Sequence, residues 1–228
     1  MRYPDMVPAV FLERKNRFVA LAEVGGQTLP VHVKNTGRLK ELLQPGTAVM
    51  LQKASDPSRK TGYDLISVRK DPLGWVNIDS QACNLVVREW LDGENSCFPR
   101  ITALKQEYVY GSSRMDFYLE SEGRKILMEV KGCTLQIDGK GYFPDAPTQR
   151  GVKHLQELIE ARREGYETYI AFVIAVPGVE VVYPNDRTHP EFGIALEKAF
   201  QEGVEILYLT CRIGGDELTV TGWKQRRR

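Results

Sequence analysis

Cysteine and histidine are scarce in this 228-residue chain, which has four of the first and three of the second. Cys83, Cys97, Cys133 and Cys211 are scattered, with no Cys-x-x-Cys spacing. Neither a disulfide framework nor a structural zinc site is therefore expected. Long apolar runs are also missing, which excludes a membrane-spanning helix of about 18 residues or more. The opening Met1-Arg-Tyr-Pro-Asp5 lacks the basic start, apolar middle and small-residue cleavage site of a signal peptide. A cytoplasmic location with reduced thiols is expected. Internal repeats and low-complexity tracts are absent, and the net charge is only +1. What remains is ordinary for a globular chain, with 42% hydrophobic and 27% charged residues.

The small net charge conceals an asymmetry. Residues 1–71 hold 12 Lys/Arg against 7 Asp/Glu, and residues 72–228 hold 19 against 23. A basic front and an acidic rear fit a binding module joined to a metal-carrying module. The Asp71-Pro72-Leu-Gly74 step marks the junction, predicting domains at 1–71 and 72–228.

Chemistry concentrates in residues 111–132. Met115, Phe117 and Leu119 alternate with Asp116, Tyr118 and Glu120. Glu122-Gly123 then breaks the run before an apolar stretch ending in Glu129-Val-Lys131. If Glu122-Gly123 is a two-residue hairpin loop, Ser121 faces Arg124, Asp116 faces Glu129, and Arg114 faces Lys131. Opposed side chains share a face with Cβ atoms roughly 4.5–5.5 Å apart. Two carboxylates leaving water together need a partner or a proton, and a divalent cation resolves the conflict. Lys131 would then orient the attacking water or stabilise charge on a phosphate. The pattern points to a metal-dependent phosphodiesterase site, with Mg²⁺ or Mn²⁺ as cofactor. The plainer alternative is a solvated hairpin face of cross-strand ion pairs. Met128 and Val130 beside Glu129, and Met115 and Phe117 beside Asp116, weigh against it.

Upstream, residues 7–70 predict five strands, at about 8–14, 17–24, 28–34, 47–53 and 62–69, with a short helix in 37–46 between the third and fourth. That element order is an OB-fold-like β-barrel, which binds strands or backbones on one face. Arg14, Arg17, Lys34 and Arg38 are candidate phosphate contacts, with Asn35-Thr-Gly-Arg38 as the most pointed piece.

Downstream of the junction, residues 81–91 predict a helix with Asp79 or Ser80 as cap and Ala82, Leu85, Val86 and Leu91 inside. Glu89 on that helix and Glu107 on the following strand are possible auxiliaries to the carboxylate pair. Residues 133–147 lack periodicity and predict a mobile loop at the mouth of a site. Thr148 then caps a helix to about Arg163, with Arg150 and His154 in its first turns, where helix-end amides favour anions. A buried strand at 168–176, a helix at 190–202 and a strand at 204–213 complete an α/β unit around one mixed sheet.

Such a core, with a carboxylate on the second strand and Glu-x-Lys on the third, resembles the PD-(D/E)xK nuclease superfamily, also called restriction-endonuclease-like. Asp116, Glu129 and Lys131 stand at the motif positions, with Met115 in place of the namesake proline. Several stretches are also similar to the sugar fermentation stimulation protein family, SfsA. They are Asn35-Thr-Gly-Arg38, Gly111-Ser-Ser-Arg-Met-Asp-Phe117, Met128-Glu-Val-Lys-Gly132, Phe143-Pro-Asp-Ala-Pro-Thr-Gln-Arg-Gly151 and His154-Leu155. The resemblance implies an N-terminal OB-like domain, a C-terminal nuclease-like domain and DNA binding, with RNA as the other polymer to test. On this reading Asp116, Glu129 and the Val130 carbonyl hold the metal and Lys131 orients the water. Arg114, Thr148, Arg150 and His154 would contact phosphates. Two alternatives stand beside it: a non-catalytic, sequence-independent DNA-binding regulator of sugar (maltose) catabolism, and an enzyme acting on a small phosphorylated metabolite.

Overall fold

The computed structural model describes residues 1–227, and Arg228 lies outside the described residues. The front of the chain forms β1 (Met6–Arg14), β2 (Val19–Val24), β3 (Gln27–Val33), β4 (Ala48–Lys53) and β5 (Tyr63–Lys70). These pair in the order β3-β2-β1-β4-β5. Parallel pairing of β3 with β5, through His32↔Asp64 and Val33↔Leu65, closes the sheet into a barrel. Gly25 and Gly26, at φ 57° and 80°, make the tight β2–β3 turn that a side chain would strain. Period-2 alternation sends Phe11, Ala20, Val31, Val49, Leu51 and Leu65 into the interior.

The helix expected within residues 37–46 is a turn instead. The Leu43 N–H donates to the Leu39 carbonyl at 2.9 Å, but Leu39 has φ 50°, outside the right-handed helical region. Leu39, Leu42 and Leu43 are all buried in the barrel core. Burial in the barrel core therefore explains their apolar spacing as well as helix periodicity would. β6 (Gly74–Asn77) pairs with β5, so the first sheet runs past residue 71.

The rear of the chain forms α1 (Ala82–Asp92), β7 (Ile101–Tyr110), β8 (Ser113–Ser121), β9 (Arg124–Cys133), β10 (Leu135–Ile137) and β11 (Lys140–Phe143). It continues with α2 (Gln149–Arg163), β12 (Glu167–Ile174), β13 (Val182–Pro184), α3 (Pro190–Gln201), β14 (Glu205–Ile213) and β15 (Leu218–Gln225). The main sheet runs β15-β14-β12-β9-β8-β7. Its centre is parallel, where β9, β12 and β14 meet, and both flanks are antiparallel. Helix α1 packs on one face, against β9 and β15, and α2 packs beside α3 over β9 and β12 on the other. β12 is buried almost throughout, as expected of a central strand covered on both faces.

Thr148 caps α2 as expected, its Oγ1 accepting the Gly151 N–H at 3.1 Å. In α1 the inward positions are Ala82, Cys83, Val86, Val87, Trp90 and Leu91, a regular helical stripe. Leu85 falls off that stripe and is 51% exposed, contrary to the sequence reading. The α1 cap position is Gln81, whose N–H is taken by Asp79 Oδ1 at 3.0 Å.

The region expected as a loop contains the β10–β11 hairpin, which turns on Asp138 and Gly139 at φ 49° and 76°. β11 pairs in parallel with β13, giving a three-stranded sheet. The barrel interior and the layer under α2 and α3 form one continuous apolar core. No helix among the described residues is long and apolar enough to cross a membrane.

Candidate metal centre and its cleft

The expected hairpin register holds from Ser121↔Arg124 to Phe117↔Met128. Both loop residues, Glu122 and Gly123, have positive φ, the requirement of the two-residue turn that matches strand twist. Asp116 and Glu129 come next along the strands. At this point Asp116 Oδ2 accepts the Val130 N–H at 2.7 Å, a side chain taking the place of a ladder carbonyl. The β8–β9 pairing ends there, and a cleft of about 510 Å³ is lined by the residues that follow. One wall is the second domain, with Asp116, Glu129, Lys131, Thr148 and Arg150. The other includes barrel residues Arg17, Asn35, Thr36 and Gly37.

Helices on opposite faces of the sheet hold the two carboxylates. Asn84 on α1 donates to Asp116 Oδ1 at 2.7 Å. His154 on α2 lies behind Glu129, 3% exposed, with Nδ1 hydrogen-bonded to Glu129 Oε1. Arg150 Nε donates to His154 Nε2 at 3.2 Å, so Nδ1 is the ring nitrogen that donates to Glu129. Lys131 Nζ reaches the same Glu129 oxygen at 2.5 Å.

The other oxygen, Glu129 Oε2, is buried and has no hydrogen-bond partner among the described residues. A buried carboxylate oxygen without a partner is costly unless a cation or proton meets it. Burial, reinforced by the charge on Glu129, pushes Asp116 up to about 6. Burial also opposes charge on Glu129, but Lys131 and the His154 hydrogen bond outweigh it and hold that carboxyl below its ordinary value. The pair is therefore an ionised acceptor beside one that resists ionisation, an arrangement that a small divalent cation would relieve. Among the described residues no three His, Cys, Asp or Glu side chains converge as a ligand set. Mg²⁺ does not require three, since it is commonly bound by one or two carboxylates, waters and a substrate phosphate.

The remaining expected site residues divide sharply. Arg17, Asn35, Thr148 and Arg150 line the cleft. Thr148 spends its hydroxyl on the helix cap. Arg14 does not line the cleft: its guanidinium donates to the carbonyls of Arg17, Asn35, Gly37 and Arg38 at 2.7 to 2.9 Å. It holds the loop that presents Asn35. Lys34 is bound to Asp64 at 3.1 Å and Asp79 at 3.6 Å. Arg38 and Arg114 line adjoining hollows. Glu89 receives the Met1 ammonium at 2.6 Å, and Glu107 pairs with Arg114 at 3.4 Å on the exposed flank. Neither auxiliary carboxylate lines the cleft.

Asn84 and Asp145 were not singled out from sequence. Asn84 had one signal, since asparagine is a poor interior helix residue. Asp145 reaches from the second domain to the barrel loop; burial pushes its carboxyl up, opposed by the nearby Arg38 and Leu39 backbone amides and the Arg14 charge. Gly37 lets it approach: a Cβ there would stand 2.0 Å from Asp145 Oδ2. Asn35 Nδ2 to the Ile78 carbonyl, at 2.9 Å, ties the same loop to the domain junction.

Comparison with known proteins accords with this architecture. The model of the SfsA N-terminal OB domain matches residues 12–78, and that of the sugar fermentation stimulation protein RE domain matches residues 81–217. A sugar fermentation stimulation protein homolog of Ruminiclostridium cellulolyticum is 49% identical over 211 residues, covering 92% of both chains. One from Desulfitobacterium hafniense is 48% identical over 218 residues, covering 96% of this chain and 94% of that relative. The solved structure of Pyrococcus furiosus SfsA in complex with Ca²⁺ superimposes with a TM-score of 0.85. It is 28% identical, with 98% of this chain and 96% of that chain covered.

Proposed function

Because this chain belongs to the sugar fermentation stimulation protein (SfsA) family, we propose that it is a DNA-binding protein whose cleft is a divalent-metal-dependent phosphodiesterase site. The observation that carries the reading is the buried Glu129 Oε2, without a hydrogen-bond partner among the described residues, beside the half-buried Asp116 carboxylate and Lys131. The Ca²⁺ complex of the Pyrococcus relative supports a divalent cation at this fold.

Asp116 and Glu129 would hold Mg²⁺ or Mn²⁺, together with the Val130 carbonyl. The Val130 N–H faces β8, and in an extended strand the carbonyl of the same residue faces the same edge. When bound, the ion supplies Lewis-acid stabilisation of the charge that develops on a phosphate oxygen. Lys131 orients a water and a phosphate oxygen from the same side as Glu129. His154 fixes the Glu129 carboxylate, and Arg17 and Arg150 hold the phosphates in place. The reaction is hydrolysis: water oxygen bonds to phosphorus, one P–O ester bond breaks, and the departing oxygen takes up a proton.

Replacing Asp116 or Lys131 with alanine is expected to abolish cleavage of DNA in Mg²⁺ or Mn²⁺ while DNA affinity changes little. Wild-type cleavage no faster than the Lys131→Ala background, across single-stranded, duplex and nicked DNA, would refute the catalytic assignment. A non-catalytic DNA-binding regulator is the second reading, and one observation favours it: among the described residues no three His, Cys, Asp or Glu side chains converge as a ligand set. Binding indifferent to EDTA, with no product, would support that reading.

A further inference from the structure

The central cleft opens into two flanking hollows. Arg17, Thr36, Gly37, Ala146 and Pro147 line both the cleft and a groove of about 620 Å³ on the barrel side. That groove continues to Arg38 and Lys40. On the opposite side Arg150 lines both the cleft and a hollow of about 410 Å³. There Ser112, Ser113, Arg114 and Lys153 take over.

The charge along this line has a pattern. Among the described residues all the lining carboxylates (Asp79, Asp116, Glu129 and Asp145) belong to the central cleft, and neither flanking hollow is lined by an Asp or Glu. Cations line all three, although Arg114 is shared with Glu107 and Lys153 with Glu157, at 3.4 and 3.7 Å. A polyanion is thus favoured on both sides of the carboxylate pair, and a metal only between them.

Depth decides the form of the polyanion. Glu129 is 2% exposed, and the cleft is walled by the Asn35–Gly37 loop and Pro144–Pro147 on one side. A stacked duplex brings its partner strand with every phosphate, so a walled cleft over a buried carboxylate favours the slimmer single strand. The only lining aromatic among these described residues is Phe143, itself edge-on to Phe172 and Phe192 at 5.6 and 5.0 Å. Base stacking therefore contributes little, and backbone contacts dominate.

We infer that one unpaired polynucleotide strand crosses the metal centre, running from Arg38 and Lys40 through Arg17 and Arg150 to Arg114 and Lys153, so that chain continues on both sides of the phosphate at Asp116 and Glu129. This deepens the proposed nuclease reading and rests on it for the position of the reacting phosphate. Recognition is independent of base sequence.

Fluorescence anisotropy with a labelled 12-nucleotide thymidine oligomer in Ca²⁺, checked as intact on a gel, tests the path. The blunt 12-base-pair duplex is the comparison. Arg38→Glu and Lys153→Glu alter exposed side chains at opposite ends of the track. Each is expected to weaken binding of the oligomer at least fivefold and to reduce the salt slope by about 0.7 or more. The duplex is expected to bind at least tenfold more weakly than the single strand. Either variant binding the oligomer within twofold of wild type, or the duplex binding as tightly as the single strand, would overturn the inference. The two readings separate cleanly. An oligomer bound across both ends yet never cut in Mg²⁺ or Mn²⁺ removes the catalysis and keeps the path. Cutting with both end variants silent does the reverse.

Discussion

Glu129 is the residue on which the site turns, and its surroundings assign work to neighbours that sequence reading placed elsewhere. His154 was expected at a phosphate, but it is buried and supports the carboxylate from behind. A hydrogen-bonded support of this kind typically changes metal affinity about 10–100-fold when removed. His154→Ala should therefore weaken Ca²⁺ binding by that factor in calorimetry, with the circular dichroism spectrum unchanged. An isotherm matching wild type would mean that Lys131 and the strand alone hold Glu129. Asp64 shows the opposite use of a buried carboxylate. Burial opposes its charge, but hydrogen bonds from Arg59 and Lys34 outweigh that and hold it at about 2. Its folded pKa lies below the unfolded one, so its stabilisation is present above about pH 4 and is lost as pH falls towards 2. Roughly 1–2 kcal/mol is involved after solvent screening. Urea denaturation should show Asp64→Asn less stable than wild type near neutrality, with the gap closing across that window. A constant gap would show that Asp64 acts through packing alone.

Among the elements, the β8–β9 hairpin was the most legible, because a two-residue turn with positive φ fixes every pairing after it. The five barrel strands were equally readable from alternation and turn glycines. The sequence did not disclose where the hairpin stops pairing. That depends on Asp116 capturing the Val130 amide, which is a tertiary choice. The supposed helix at 37–46 failed because burial of Leu39, Leu42 and Leu43 imitates helical spacing. β10 and β11 were passed over even though Asp138-Gly139 is a strong hairpin signal. Glu89 and Glu107 fell outside the cleft because a strand or helix position says which element carries a side chain, but not which end of the sheet it reaches. The Asn35–Arg38 loop carries its own prediction. Gly37→Ala drives a methyl into the Asp145 carboxylate, which must move to relieve the clash. Destabilisation of roughly 1–3 kcal/mol is expected by thermal denaturation. In an Asp145→Ala background the same substitution should cost less than half as much. An equal cost in both backgrounds would show that the close approach is not the reason for glycine.

At the scale of the whole molecule, the barrel and the mixed sheet share one apolar core and one cleft. The basic front and acidic rear read from composition meet there, with Arg17 and Asn35 opposite Asp116 and Glu129. Residues of both domains are needed to line the cleft over the carboxylate pair. The measurement that tests this most directly is calorimetric titration of Mg²⁺ and Ca²⁺ into wild type and into Asp116→Ala/Glu129→Ala. Saturable binding in wild type, lost in the double variant with its fold intact, is expected. Phosphate often completes a Mg²⁺ shell, so the titration is repeated with a single-stranded oligonucleotide present. Wild type that binds neither ion in either condition, or a double variant that binds as well as wild type, would contradict a metal centre at these two carboxylates.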